Sequence, residues 1–227
     1  MNVTLVRHAT LLLDSSLGRI LVDPMLRPAG SSPPIENTPS PRPNPLVELP
    51  VPLEDVVRDV DLCIVTHLHR DHFDDLLPLD VAILTQPESA DELRARGHRD
   101  VRTEHPAIPM TRGRHGTGEI GEAMGAVSGW VVDGVYLAGD TIWCDEVRAA
   151  LAEHRPRAVI ANAGGARFNE GDPILMDVED VRALREAFDG AVAVVHLEAI
   201  NHCIEPRSAY RALDGVHVPD DGEMIEL

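Results

Sequence analysis

The sequence predicts an α/β protein in which two sheets pack together and helices cover both outer faces. Three observations predict it. Strand candidates come first and then alternate with helix candidates, and this layout occurs twice along the chain without a residue-level repeat. The inner strand candidates are short apolar runs of the kind that become buried strands. Three of those runs stop at polar residues, His67, Asp140 and His196, which puts these side chains at a sheet rim, where sites lie. A chain of 227 residues suits one domain spanning 1–227 better than two separate ones.

The elements follow in order. Asn2 to Asp14 reads as a strand that contains His8. A turn over Ser15 to Arg19 leads to a second strand, Ile20 to Asp23, stopped by Pro24. The carboxylate of Asp23 stands where it can orient a metal ligand. Residues 24–52 contain ten prolines and no periodicity, so they form a long loop or arm rather than a helix or central strand. A short helix over Leu53 to Asp59 precedes the buried strand Asp61 to Thr66. A helix is expected over Asp71 to Leu77, ended by Pro78. Val81 to Thr85 is a strand. Pro87 to Arg96 is a helix with acidic residues early and arginines late, stopped by Gly97. Val101 to Thr103 and Ala107 to Met110 are short strand candidates. Arg112 to Gly118 is a glycine-rich loop around His115. Ala126 to Val132 and Val135 to Ala138 form a hairpin through Asp133-Gly134. Helix Glu146 to His154, strand Ala158 to Ala161, helix Asp177 to Phe188, strand Ala191 to Val195 and helix Arg207 to Leu213 complete the chain.

The chemistry concentrates in Thr66 to Asp74, which reads THLHRDHFD. His67, His69, Asp71 and His72 are nitrogen and oxygen ligands of the sort that hold zinc, manganese or iron. His67 and His69 are two apart, so in extended chain both point the same way. Three imidazoles and a carboxylate packed together are costly without a cation.

The net charge is −18, all 20 basic residues are arginine, and no lysine occurs. A lysine Schiff base and a phosphate-loop lysine are therefore excluded. So acidic a surface repels polyanions, and 3% aromatics offer no stacking platform, so nucleic acid is not expected as a partner. No apolar run approaches eighteen residues and no leader pattern is visible, so no membrane span and a cytoplasmic location are expected. Cys63, Cys144 and Cys203 are widely spaced and suggest free thiols.

THLHRDHFD, the glycine-flanked His115, LAGDT with Asp140 and VVHLEAINH with His196 resemble, in order and rough spacing, the motifs of the metallo-β-lactamase superfamily. The opening HAT-LLLD-GRILVDP pattern and NAGGARF look most like the small bacterial hydrolases similar to ascorbate-6-phosphate lactonase. The resemblance implies an αββα four-layer sandwich with a two-metal site at its edge. His67, His69 and His115 would hold one ion and Asp71, His72 and His196 the other, with Asp140 bridging both. His105 is the alternative to His115, and His202 the alternative to His196. Two divalent ions are implied, zinc ahead of manganese and manganese ahead of iron. Such ions, about 3.5–4 Å apart, acidify a shared water and polarise a carbonyl or phosphoryl oxygen. Asp71 and Asp140 are the catalytic candidates, able to hold the nucleophile and carry its proton. His202, His8 and Arg114 are the substrate-contact candidates. Arg7, Arg70 and Arg167 are further candidates for an anionic group. Thr66 and Thr141 flank ligands and could hydrogen-bond them.

The expected activity is metal-dependent hydrolysis of a lactone, amide or phosphoester in a small molecule. Two other classes compete with it: a mononuclear iron oxidoreductase resembling persulfide dioxygenases, and a non-catalytic metal-binding protein. The second ligand set, Asp71, His72 and His196, weighs against the first, and the unbroken ligand set against the second. The proline-rich arm suits a homo-oligomer as well as a substrate lid.

Overall fold

The computed structural model describes residues 1–74 and 80–227. Its strands are β1 Asn2–Arg7, β2 Thr10–Ser15, β3 Gly18–Val22, β4 Leu62–Val65, β5 Ala82–Thr85, β6 Val101–Arg102, β7 Met110–Arg112, β8 Ser128–Val132, β9 Val135–Leu137, β10 Ala158–Asn162, β11 Ala191–Val195, β12 Val216–His217 and β13 Met224–Glu226. The helices are α1 Leu53–Val57, α2 Pro87–Ala95, α3 Gly118–Met124, α4 Asp145–His154, α5 Val178–Ala187 and α6 Arg207–Arg211. The first sheet runs β13-β1-β2-β3-β4-β5-β6 and the second β12-β11-β10-β9-β8-β7.

Strand periodicity explains the four layers. In β4, Leu62 and Ile64 face the second sheet and pack with Trp130, Val132, Leu137, Ile160 and Val195. Cys63 and Val65 point the other way, onto Ala90 and Leu93 of α2. The second sheet does the same. Ile160 and Val195 face inward, while Val159, Ala161 and Val194 pack beneath Val147 of α4, Leu184 of α5 and Tyr210 of α6. The architecture is the αββα sandwich. Asp177 caps α5, its carboxylate accepting from Asp180 N at 3.0 Å.

Parallel pairing positions the site. β3, β4 and β5 run parallel, as do β9, β10 and β11. Asp23, His67, Asp140 and His196 lie one to three residues beyond the ends of β3, β4, β9 and β11, with Asn162 ending β10. They gather at the carboxyl ends of the strands, the place where open α/β sheets put their ligands.

Several local expectations need correction. The first strand is two, because the chain reverses at His8, whose φ of 61° breaks the extended run. Ala107 to Pro109 is a turn, and the strand begins at Met110. Part of the glycine-rich segment starts α3, and β12 and β13 are too short to carry a periodic signal. Asp71 to Asp74 is turn and loop, and the remainder of the helix expected to Leu77 lies outside the described residues. The arm has no regular element, only a bridge between Ser32 and Asn44. All three cysteines are free. No helix among the described residues is long and apolar enough to cross a membrane.

Candidate metal centre

Histidines and carboxylates from six segments meet at this edge. Three groups have ligand atoms all within 4.8 Å of one another: His67, His69 and His115; His8, Asp71, His72 and His196; and His67, His72 and Asp140. The hub is Asp140 Oδ2. It lies 3.0 Å from His72 Nε2, 3.5 Å from His196 Nε2, 3.7 Å from His115 Nε2 and 3.9 Å from His67 Nε2. Asn162 Nδ2 donates to the other oxygen, Asp140 Oδ1, at 2.8 Å, which turns Oδ2 to the imidazoles.

The far nitrogens of these imidazoles are engaged. His72 Nδ1 donates to Asp23 Oδ2 at 2.8 Å. Thr66 Oγ1 donates to the same oxygen at 2.8 Å and accepts from His67 Nδ1 at 3.0 Å. Thr66 N donates to Asp23 Oδ1 at 2.8 Å. One carboxylate thus sets the tautomer of two histidines of the cluster, one directly and one through a hydroxyl. His115 Nδ1 donates to Ile174 O at 2.8 Å, and His196 Nδ1 reaches Ala163 O at 3.3 Å. In its neutral form each of these four rings therefore presents an Nε2 lone pair inward, as metal-binding histidines do.

The electrostatics fit divalent cations. Burial pulls His67 well below the usual imidazole range and His115 to about 4, so both stay neutral donors. Burial also acts on His72, but Asp140, Asp23 and Asp71 outweigh it and push the ring up to about 10. Burial opposes ionisation of Asp71 and Asp140, yet the facing imidazoles hold both carboxyls well below the usual range. His67 Nε2 sits 2.9 Å from His69 Nδ1, and His72 Nε2 sits 3.2 Å from His196 Nε2. Ring nitrogens so close need positive charge between them, a proton or a cation. A donor set of imidazoles and carboxylates suits zinc, manganese or iron.

A pocket of about 240 Å³ opens beside the cluster. His69, Asp71, His115, Asp140 and His202 line its inner side, and Ile35, Leu68, Met124, Phe168 and Ile174 supply an apolar wall. Ile35 comes from the proline-rich arm. The buried side chain of Asn201 fastens that arm: Oδ1 accepts from Ile35 N and Asn44 Nδ2, and Nδ2 donates to Ile35 O, Thr38 Oγ1 and Ser40 O. Asn169 adds two bonds to Asn37.

Other expected residues lie elsewhere. Arg114 does not line the pocket; its guanidinium is half exposed and pairs with Glu146 of α4 at 2.8 Å. His8 is fully buried, 3.3 Å from Asp71 Oδ2, and does not line the pocket. Arg7 is buried and donates to the carbonyls of Val47, Met25 and Arg27, pinning the arm. Arg167 turns back on Gly165 O, while Arg70 is exposed at the pocket rim. His105 caps a turn through Ala107 N, away from the cluster. His202 lines the pocket and joins none of the three ligand groups. Thr141 serves the backbone of Arg114 and Ile142 rather than a ligand. Sequence reasoning overlooked Asn162, Asn201 and Ile35. Asn162 left a trace, as an amide inside an otherwise apolar stretch, whereas nothing local marks Asn201 or Ile35.

A two-sheet sandwich whose strand ends deliver histidines and carboxylates to a single pocket defines a metal-dependent hydrolase of the metallo-β-lactamase fold. The model of the beta-lactamase superfamily domain matches residues 2–160, and the chain belongs to that family. It is 32% identical over 250 residues to UPF0173 protein YddR of Bacillus subtilis (strain 168), covering 98% of each. A crystal structure described as a possible metal-dependent hydrolase from Veillonella parvula DSM 2008 is 30% identical, with a TM-score of 0.92 over 100% of this chain and 99% of that one. The isothiocyanate hydrolase from Delia radicum gut bacteria is 31% identical, with a TM-score of 0.92 over 100% and 99%.

Proposed function

We propose that this chain uses two divalent cations, zinc ahead of manganese and iron, to hydrolyse a small organic molecule at an electrophilic centre. The observation that carries the reading is the position of Asp140 Oδ2, within 3.0–3.9 Å of four inward Nε2 atoms. His67, His69 and His115 would hold one ion, Asp71, His72 and His196 the other, and Asp140 would touch both. When bound, the ions supply an acidified water and stabilise charge developing on the substrate's oxygen.

The remaining work falls to side chains. Asp71 and Asp140 orient the attacking water and take its proton. His202, whose Nδ1 is buried without a partner among the described residues, faces the pocket as a contact for the substrate's polar end. Ile35, Leu68, Met124, Phe168 and Ile174 receive an apolar substituent and keep bulk water out. Among the described residues the arginine lining the pocket is Arg70, at the rim, so the inner pocket suits an uncharged lactone, amide or thio-carbonyl compound better than a phosphoester. The relative named as an isothiocyanate hydrolase supports adding isothiocyanates to that set.

The test is turnover of lactones, amides, phosphoesters and isothiocyanates by chelator-stripped protein reloaded with zinc, manganese or iron. Turnover restored by metal supports the reading. Hydrolysis that survives chelation, or none with any metal, contradicts it.

A further inference from the structure

His8 occupies a place that neither the ligand set nor the pocket wall explains. It is wholly buried, and its Nε2 lies 3.3 Å from Asp71 Oδ2. Its ring lies 3.6 Å from that of His196, centre to centre, at an interplanar angle of 39°. Its carbonyl accepts from His196 N at 2.9 Å. The left-handed backbone at φ 61° that puts it there is uncommon outside glycine, although histidine is among the residues that tolerate it.

The imidazoles differ in their second nitrogen. His67, His72, His115 and His196 all pass Nδ1 to an oxygen, which leaves Nε2 as the nitrogen that can bind a cation. His8 Nδ1 is buried with no hydrogen-bond partner among the described residues. A histidine that ligates through Nε2 must carry its proton on Nδ1, and here that N–H would have no acceptor while Nε2 lost its bond to Asp71. The other tautomer places the proton on Nε2, where a carboxylate oxygen already stands.

We propose that His8 is a positioning residue of the metal centre rather than a ligand. Its Nε2–H donates to Asp71 Oδ2 and its ring braces His196, so that one side chain sets two members of the second ligand group. This rests on the two-cation reading above, with Asp71 and His196 as ligands. His8 also links the β1–β2 turn of the first sheet to the end of β11 in the second, coupling the closure of the sandwich to the geometry of the site.

Cobalt(II) titration of the full chain tests it, followed by calorimetry and by the visible spectrum, neither of which needs turnover. The wild type should bind two ions. His8→Phe keeps a ring against His196 but has no donor, and should weaken one of the two ions by about 10–100-fold. His8→Gln, whose amide reaches as far as Nε2, should restore binding close to wild type. If His8→Phe does not fold, His8→Asn replaces it, its amide one methylene too short, with the same loss expected. Equal losses in the Gln and Phe variants would make His8 a ligand and overturn the proposal. Undiminished binding of both ions by His8→Phe, or by His8→Asn, would overturn it too. A wild type that binds no cobalt overturns the two-cation reading itself, which separates the two failures.

Discussion

The centre is supported in two different ways. His67 and His72 come from one short turn and answer to one side chain, Asp23. His115 and His196 come from distant loops and lean on main-chain carbonyls, those of Ile174 and Ala163. A carboxylate can be removed by one substitution, but a carbonyl can only be displaced by moving its loop. The turn should therefore fail through side-chain chemistry and the loops through backbone geometry.

Asp140→Asn strikes the atom that both halves share. It should abolish binding of both ions and lower kcat/KM on the order of a thousandfold, read by metal analysis and by assay of any substrate the panel yields. Asp23→Ala comes next. It frees His72 and, through Thr66, His67, and should weaken metal by about 10–100-fold, whereas Thr66→Val, which touches only His67, should cost less. Calorimetric titration of the two variants side by side distinguishes them. If Thr66→Val matches Asp23→Ala, the single-carboxylate account of the turn is wrong.

The loop half is probed with glycines. Gly164 has φ +108°, and an added Cβ would lie 3.1 Å from His196 O and from Cys203 Cβ. Gly116 has φ +99°, and its Cβ would press on Ile174 at 3.1 Å. Gly164→Ala and Gly116→Ala should each lower stability by about 1–2 kcal/mol and weaken a single ion, His196's in the first case and His115's in the second. Thermal melts with and without zinc would read both effects.

The smallest effects are expected at the arm. Asn201→Ala removes the bonds that hold Ile35, and should raise KM several-fold while leaving bound metal unchanged. Steady-state kinetics beside metal analysis would show it, and a lost ion would mean that the arm supports the centre as well as the pocket. His202 supplies a pH test. Burial holds its pKa at about 4, below the imidazole's ordinary value, so the unfolded chain takes up this proton first as pH falls. The stability tied to its neutral form is complete above about 6.5 and is lost as pH drops toward 4. Metal-free His202→Gln should lose less stability over that window than the wild type, by urea titration.

What the sequence discloses follows the same division. The strand from Asp61 and the THLHRDHFD turn are contiguous, so period and residue type were enough to place His67, His72 and their strand at a sheet edge. Asp140 and His196 were legible because each directly follows an apolar strand. The reversal at His8 was not, because a left-handed backbone at a histidine leaves no mark in an apolar run. Arg114 misled for a related reason: its backbone neighbours the site, but its long side chain pairs with Glu146, 32 residues away in sequence. Ile35 gained its place from Asn201, a partner 166 residues distant, and no local pattern carries such a contact.

The account turns on two cations flanking Asp140. Crystals grown with zinc and measured across the zinc absorption edge give the most direct reading. Two anomalous peaks are predicted, one beside His67, His69 and His115, the other beside Asp71, His72 and His196, with Asp140 Oδ2 in contact with both. A single peak, or peaks remote from Asp140, would contradict it.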